Sequence, residues 1–378
     1  MLYRFFLIGV ATLLCVCCAS KNDEISELTF DLVISDSLDL KLPRDVYHPL
    51  SDDSYFWSHD DVSFSYLVEG GLDSLFIYRF FFSGEWNKTT LFPQGPNQVY
   101  GAGAFTFIND SSFYYFPGVV SKILKMNISG ETLESYDYSY LRLERIRRNN
   151  NQSNIFWNDS IIGFDIAEYR PLEEVSTFLE ASIYGVYDFD TLSGIINYPE
   201  EFHGKVWSSN DVDRSSLVVG DSIYFNFSKS SYIYVYGFDG KEIAKKKLGS
   251  PHIKESQSGR VEDAQVNLIR RENNGYYPQM VYDKWRGLFY RIGIYYKSSQ
   301  EVETIMDLAK VAKSRTMSVT TFNSNLDLIA YNEFSIKSHL DHRLCFVTPN
   351  GLFFLNRNYN SDDDLRFYQL NLVKKATN

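Results

Sequence analysis

The sequence predicts an all-β fold, a β-propeller of six to eight blades of antiparallel strands, with two packed β-sandwiches as the alternative. The first observation is composition: aromatic residues make up 16% of the chain, with 28 Tyr and 29 Phe, and such residues favour half-buried strands. The second is that short apolar stretches open with turn-forming Asp, Asn, Ser or Gly. The third is the spacing of these openings: starting at Asp73, successive openings are 37, 49 and 62 residues apart. This is close to the length of a four-stranded propeller blade, about 40–50 residues.

The first residues are predicted to be an export signal and not part of the fold. Arg4 precedes an apolar run from Phe5 to Ala19, which is shorter than the roughly 20 residues that cross a bilayer as a helix. A signal that ends in cysteines resembles the signal of bacterial lipoproteins, in which one thiol is acylated and the peptide is cut before it. We therefore predict a signal peptide over residues 1–17 and a polar tether over residues 18–27.

Lipid attachment, by acyl chains such as palmitate, is predicted at Cys18, which has small neighbours and a charged stretch after it. Cys17 is the alternative, because Leu14 lies three residues before it, although the bulky Val16 directly precedes it. An ordinary cleaved signal with incidental cysteines also stays open. With a lipid anchor the protein is exported and held by the lipid bilayer of the outer membrane, on its periplasmic or surface face.

Charge and cysteine content argue against other classes of protein. The formal net charge of −11 disfavours a nucleic-acid partner, because phosphate binding needs a basic surface. Cys345 is the one cysteine beyond the signal and the tether, so we expect no intrachain disulfide and no structural zinc site. Since it lies in an apolar, strand-like stretch, we expect its side chain to be buried.

Residues 28–378 are predicted to form a single β-propeller domain, because no low-complexity linker divides them. Near its start Leu38, Leu40 and Leu42 alternate with polar residues, as in a half-buried strand. The turn-like strand openings then follow in chain order: Asp73-Ser74, Asp110-Ser111, Asp159-Ser160, Asp221-Ser222, Arg286-Gly287 and Asn350-Gly351.

Short motifs give the chain a resemblance to a known family. Gly95-Pro96-Asn97 precedes the strand-like Phe105-Thr106-Phe107, and Tyr277-Pro278 leads into Tyr282-Asp283-Lys284 and Leu288-Phe289-Tyr290-Arg291. With the lipoprotein-like signal, the chain resembles the lipoproteins of anaerobic Gram-negative bacteria in family 4221 of domains of unknown function. The resemblance implies a β-propeller and a membrane location. That family has no agreed activity, so it implies no catalytic residues.

The sequence contains none of the strong catalytic motifs. Gly-x-Ser-x-Gly, His-Glu-x-x-His, the Walker loop and Gly-x-Gly-x-x-Gly are all missing from it. The best metal-like clusters are His339-Leu340-Asp341-His342 and Asp362-Asp363-Asp364, and both are interpreted as polar turn residues. We therefore expect no metal and no cofactor.

The predicted binding surface is a long polar loop from Gly249 to Gly275, since connections of this length tend to be functional. Its candidate ligand-binding side chains are His252, Arg260, Glu262, Arg270 and Arg271. Two short helices, Pro171–Leu179 and Glu301–Lys313, are expected elsewhere on the β frame. Weaker candidates for a contact surface are the basic stretch Arg142–Arg148 and the tryptophans near turns, Trp57, Trp86, Trp157 and Trp207.

The sequence favours a non-catalytic binding or assembly module whose loops engage a protein, peptide or glycan partner. The alternative is a hydrolase that acts on glycans or lactones at the central channel, where two carboxylates or a metal site would have to converge. Its candidate acids are Asp60, Asp61, Glu262 and Asp263. The ligand and the oligomeric state are not indicated.

Overall fold

In this computed structural model the described residues form 25 β-strands, arranged in six separate antiparallel sheets. The predicted signal, the tether, Cys17 and Cys18 lie outside the described residues. The structure describes residues 28–42, 54–59, 63–69, 74–92, 99, 101–117, 120–137, 145–146, 155–158, 161–167, 177–188, 190–208, 211–255, 259, 263–297, 302–311, 314–356 and 364–375.

Each sheet is one blade, and successive strands run from its inner to its outer edge. The first blade contains β2 to β5: Ser54–His59, Ser63–Glu69, Leu75–Phe81 and Trp86–Leu91. The second contains β6 to β9: Gly103–Phe107, Ser112–Pro117, Lys122–Asn127 and Thr132–Asp137. In the third, two short strands, β10 and β11, both pair with β12, and β13 and β14 follow: Arg145–Ile146, Ile155–Trp157, Ile162–Ala167, Ser182–Tyr187 and Leu192–Asn197.

The remaining three blades follow the same plan, except that the last one joins both ends of the chain. The fourth contains β15 to β18: Arg214–Val219, Ser222–Phe227, Tyr232–Gly237 and Glu242–Lys247. The fifth contains β19 to β22: Tyr276–Asp283, Leu288–Tyr296, Arg315–Asn323 and Leu328–Ser335. The sixth contains β23, β24, β25 and, at its outer edge, β1: Leu340–Thr348, Gly351–Asn356, Asp364–Lys374 and Phe30–Lys41.

The blades are arranged around a common axis. The first strands of neighbouring blades contact each other, as β2 does with β6, β15 with β19, and β19 with β23. The predicted β-propeller is therefore confirmed, with six blades, and the alternative of two packed sandwiches is wrong. Among the described residues, no helix is long and apolar enough to cross a membrane.

Aromatic side chains fill the spaces between blades, as the composition predicts. Phe64 of the first blade stacks on Phe346 of the sixth, with ring centroids 5.8 Å apart. Tyr224 of the fourth blade lies 4.5 Å from Phe289 of the fifth. Each sheet buries both faces against its neighbours, so its aromatic strands stabilise the ring and not the single blade.

The two ends of the propeller differ in structure. Successive strands of a blade alternate in direction. The connections from the first to the second strand and from the third to the fourth strand therefore lie at one end of the propeller. The connections from the second to the third strand, and from each blade to the next, lie at the opposite end. Short turns form the first end, which we call the turn face: residues 82–85, 108–111, 238–241, 284–287 and 324–327. In the described part of the chain, three α-helices lie on the opposite end, the helical face: α1 (Thr177–Glu180), α2 (Ala264–Asn274) and α3 (Ile305–Val311).

Two of these helices relate to predicted ones. α3 confirms the helix expected within Glu301–Lys313. α1 overlaps only the last residues of the predicted Pro171–Leu179 helix, since residues 168–176 lie outside the described part of the chain.

Both ends of the described chain meet at the turn face. β1 pairs with β25 in antiparallel register from Phe30 opposite Lys374 to Lys41 opposite Asp364. Beyond the pair, the Lys375 amide donates to the Thr29 carbonyl at 2.7 Å. Because β25 runs from the helical face to the turn face, the start of β1 lies at the turn face as well.

Candidate functional site

The predicted long polar loop from Gly249 to Gly275 is wrong in part, because 11 of its residues form a helix. Its second half is helix α2, and the Asp263 carboxylate accepts hydrogen bonds from the amides of Gln265 (2.7 Å) and Val266 (3.1 Å) at the helix start. Gly275 ends the helix with a φ of 71°, a conformation that favours glycine. Asp263, a candidate acid of the hydrolase alternative, is therefore a helix cap. Arg260 and Glu262 lie outside the described residues.

His252, Arg270 and Arg271 are described, and the structure does not bring them into one site. The His252 ring stacks on Tyr295 with centroids 4.9 Å apart, and its Nε2 lies 3.2 Å from the Glu333 carboxylate. That carboxylate also accepts from Tyr331, Tyr295 and Lys297. Burial acts to raise the pKa of Glu333, but the hydrogen bonds lower it overall. These side chains are hydrogen-bonded or ion-paired to one another in the outer part of the fifth blade.

Arg270 has a structural contact. Its guanidinium pairs with Asp211, which is 1% exposed, and donates to the Gly259 carbonyl at 3.3 Å. Arg270 therefore fastens α2 to the connection that precedes the fourth blade.

Arg271 belongs to a polar group around Tyr276, the first residue of the innermost strand β19. The Arg271 guanidinium lies 4.7 Å from the Tyr276 ring centroid, and Arg315 donates to the Tyr276 hydroxyl at 3.5 Å. We call this group the Tyr276 cluster; its members are Arg271, Glu272, Tyr276, Arg315, Asp341 and Arg343. It lies at the helical-face ends of β19 and β23, beside the axis of the propeller.

Two ion pairs fix the edges of the Tyr276 cluster. Arg271 pairs with Glu272 at 2.9 Å, and Arg343 pairs with Asp341 at 2.7 Å. Burial acts to raise the pKa of Asp341, but hydrogen bonds from Arg343 lower it to about 2. Burial, and then the charge of Glu272, raise the pKa of Tyr276, which stays a neutral phenol. The cluster can therefore bind through fixed guanidinium groups and a neutral hydroxyl.

The predicted metal-like cluster near β23 is divided between other contacts. Asp341 is paired with Arg343, and the His342 ring lies 6.4 Å from that of Tyr276. Among the described residues, no three His, Cys, Asp or Glu side chains are placed to hold a metal ion. Of the predicted Asp362-Asp363-Asp364 run, the structure describes only Asp364, the first residue of β25.

The candidate tryptophans have different environments. Trp207 is 7% exposed and donates to the Phe202 carbonyl, and Trp157 donates to Phe107 at 3.2 Å, so both are packing residues. Trp86, 41% exposed, lies next to the turn face. The side chain of Trp57 and most of the Arg142–Arg148 stretch lie outside the described residues.

Sequence reasoning missed a set of buried cations that join neighbouring blades. Arg291 of the fifth blade is 0% exposed and lies 3.6 Å from the Tyr277 ring centroid. Among the described residues, its guanidinium donates to neutral acceptors of the fourth blade: the Asn226 side chain and the carbonyls of Phe227, Ser230, Ser231 and Leu248. Arg214 similarly donates to carbonyls of Ile166 and Ile183 in the third blade. For Arg291 the available signal was a single arginine inside an aromatic strand.

Lys229 joins the fourth blade to α2. Lys229 is 3% exposed, and its ammonium donates to the carbonyls of Arg271, at 2.9 Å, and Gly275. Burial lowers the pKa of Lys229 to about 7. Lys229 thus fixes the end of α2 that carries Arg271.

Comparisons with known proteins show likeness at the level of structure. No protein-family model and no curated protein matches the chain. A crystal structure of a duf4221 family member from Bacteroides vulgatus has a TM-score of 0.74 and 18% identity, over 92% of this chain and 100% of that one. A candidate exported protein from Bacteroides fragilis has a TM-score of 0.50 and 12% identity, over 91% of this chain and 96% of that one. The chain therefore shares its fold with a member of family 4221, the family that its sequence resembles.

Proposed function

We propose that the protein is an exported, lipid-anchored binding or assembly module that presents the helical face of its propeller to a protein, peptide or glycan. The observation that carries the proposal is the placement of the chain ends. The first described strand begins at the turn face, while α1, α2, α3 and the Tyr276 cluster occupy the opposite face. A tether at the N-terminus therefore leaves the recognition elements on the side away from the lipid.

The length of the predicted tether supports this orientation. Residues 18–27 span at most roughly 35 Å when fully extended, at about 3.3–3.6 Å per residue. Strands such as β21, with nine residues, make the propeller about 30 Å deep between its faces. The extended tether is thus only slightly longer than the propeller is deep. If the helical face turned towards the bilayer, the tether would have to run along the whole side of the molecule, which disfavours that orientation.

The described carboxylates favour binding over hydrolysis. A glycoside hydrolase of the usual kind needs one carboxyl group whose pKa is raised, so that it stays protonated as a general acid. Seven carboxyl groups of the described residues have a lowered pKa: Asp39, Glu134, Asp188, Asp239, Asp307, Glu333 and Asp341. A lowered pKa suits a carboxylate that is paired in a structural contact.

Energy transfer between the protein and a vesicle tests the orientation. A donor dye is attached at Lys241→Cys on the turn face or at Met306→Cys on the helical face, and an acceptor dye is placed in the lipid. Both sites are well exposed, with 83% of the Lys241 side chain and 79% of Met306 accessible, and the buried Cys345 thiol stays unlabelled. We expect stronger transfer from position 241. Equal transfer from both positions, or stronger transfer from 306, would refute the orientation.

Fatty-acid labelling tests the anchor itself. Full-length protein grown with a labelled fatty acid should take up label, and the Cys17→Ser, Cys18→Ser double variant should not. Uptake by the double variant would show that the anchor is assigned to the wrong residues.

A further inference from the structure

We infer that the Tyr276 cluster is a recognition site for an acidic peptide segment of another protein. The inference rests on the proposed function, because it names the class of ligand that the helical face binds. It depends on one feature of the cluster: positive charge exceeds negative charge there, within a protein of net charge −11.

Arg315 supplies the excess charge. Arg271 and Arg343 are each paired with a carboxylate inside the cluster. Within the described part of the chain, Arg315 has no carboxylate within ion-pair distance, and its hydrogen bond to Tyr276 is long at 3.5 Å. A partly buried guanidinium with most of its donors free gains most from a carboxylate, which can accept two parallel hydrogen bonds from its fork.

Buried arginines with a structural role in this protein have surroundings unlike those of Arg315. Arg291 is fully buried, and acceptors from the neighbouring blade surround its guanidinium. Arg315 is only partly buried, and within the described residues it makes no comparable set of bonds to another blade. Its position, at the start of β21 directly after the connection that contains α3, supports a role in binding an external partner.

The surface beside the cluster favours a peptide over a glycan. Two hydrogen bonds between Asn273 and Val302, at 2.8 and 2.9 Å, join α2 to the segment directly before α3. On this helix pair Val266, Ile305 and Met306 are 52%, 42% and 79% exposed. Exposed aliphatic and thioether groups next to arginines are typical of protein contacts, whereas sugars stack on exposed aromatic rings, and Tyr276 is only 9% exposed.

The occupant is therefore a segment in which acidic and apolar side chains alternate or adjoin. Its carboxylates would bind Arg315 and the outer guanidinium of Arg343, whose side chain is 46% exposed. Its apolar side chains would pack on the exposed residues of α2 and α3. Since charge carries much of the contact, affinity should fall as salt is added.

Peptide binding to the full-length protein in detergent tests the inference. The probe is a dye-labelled peptide of alternating glutamate and leucine, followed by fluorescence anisotropy, with a lysine–leucine peptide, inorganic phosphate and a glucuronate oligosaccharide as comparisons. We expect the glutamate peptide to bind, the lysine peptide not to bind, and neither phosphate nor the oligosaccharide to displace the glutamate peptide. Arg315→Gln should weaken binding by about tenfold or more, the usual effect of losing a hydrogen bond to a charged group.

Matched variants separate recognition from folding. Arg366→Gln removes an arginine with a 35% exposed side chain from β25, where it pairs with Asp39 of the outermost strand β1, and should leave peptide affinity unchanged. Arg315→Lys keeps the charge without the fork and should bind with intermediate affinity. Equal binding by wild type and Arg315→Gln, no binding by wild type, or displacement by glucuronate or phosphate would overturn the inference. If that occurs while energy transfer still places Met306 far from the lipid, the proposed function survives and only the ligand class fails.

Discussion

At the scale of single residues, the stability of the ring depends on buried cations that donate to carbonyl groups of the neighbouring blade. Arg291 forms its bonds to neutral acceptors across the space between the fourth and fifth blades. Burial lowers the pKa of Arg291 to about 10, so it is still charged at neutral pH. Buried carbonyl groups at strand ends need hydrogen-bond donors. One guanidinium can donate to several of them, so no carboxylate has to be buried as a second charge.

Replacing Arg291 should be one of the most damaging changes in the protein. In Arg291→Met the carbonyls of Ser231 and Leu248 lose their donor in a buried place, and the free energy of unfolding should fall by about 3–5 kcal/mol. Urea denaturation measures the loss. The control is Arg366→Met, which breaks an exposed ion pair with Asp39 and should cost less than about 1 kcal/mol. Similar losses in the two variants would contradict the structural role of Arg291.

Lys229 should make stability depend on pH above neutrality. Its pKa is about 7 in the folded protein and near its ordinary value when unfolded, so between these values the unfolded chain binds more protons. Stability therefore rises with pH in this window, by up to about 1.4 kcal/mol per pH unit, and Lys229 opposes folding most strongly below pH 7.

Comparison with Lys229→Met isolates this effect from other titrating groups. Denaturation of both proteins at pH 7 and pH 9 should show wild type gaining stability relative to the variant at the higher pH. A constant difference between the two proteins would mean that the Lys229 ammonium is not desolvated.

Some of these residues could be predicted from the sequence and others could not. Burial of Cys345 is confirmed: it is 5% exposed, and burial raises the pKa of its thiol. Its strand-like neighbours carry that information locally. Of the arginines in the Tyr276 cluster, the sequence predicted only Arg271 as a binding residue. Arg315 and Arg343 are distant from it in the chain, and the order of the blades brings the three together.

At the scale of elements, turn chemistry was predictable and helix α2 was not. The Asn109 carboxamide accepts from the amide of Ser111, and Asp188 accepts from Asp190, so short polar side chains do form the turns as expected. α2 was hidden by its composition, since arginines and asparagines follow its few apolar residues. Its boundary signals, an acidic cap and a closing glycine, were nevertheless present.

The cap of α2 can be tested by itself. Asp263→Ala removes two hydrogen bonds from the first turn and should destabilise the helix by about 1 kcal/mol. Hydrogen exchange of the α2 amides should become faster, while exchange in the strands of the first blade stays the same. Asp263→Asn keeps an acceptor at the cap and serves as the control. Unchanged exchange in Asp263→Ala would show that Lys229 and tertiary packing alone hold the helix.

At the scale of the whole molecule, the number of blades and the closure of the ring were beyond sequence reasoning. The irregular spacing of strand openings allowed six to eight blades, because insertions change the spacing without changing the count. Closure joins β1 to β25, two strands from opposite ends of the chain. No local pattern can specify such a pair, since each strand alone shows only that one of its faces is buried.

Closure should control cooperative folding of the ring. A chain that stops after Asn356 lacks β25, so β1 loses its partner strand in the sixth blade and β24 is paired only with β23. The sixth blade is then left with two exposed edges. Leu32 and Leu40, 2% and 3% exposed in the closed ring, would then face water. We expect this protein to aggregate or to unfold without one sharp thermal transition, whereas a chain that stops after Lys375 keeps β25 and should melt like the full-length protein. A monomer that lacks β25 but retains the full-length melting temperature would show that the propeller is held by contacts between inner strands, and that joining the two ends of the chain contributes little to its stability.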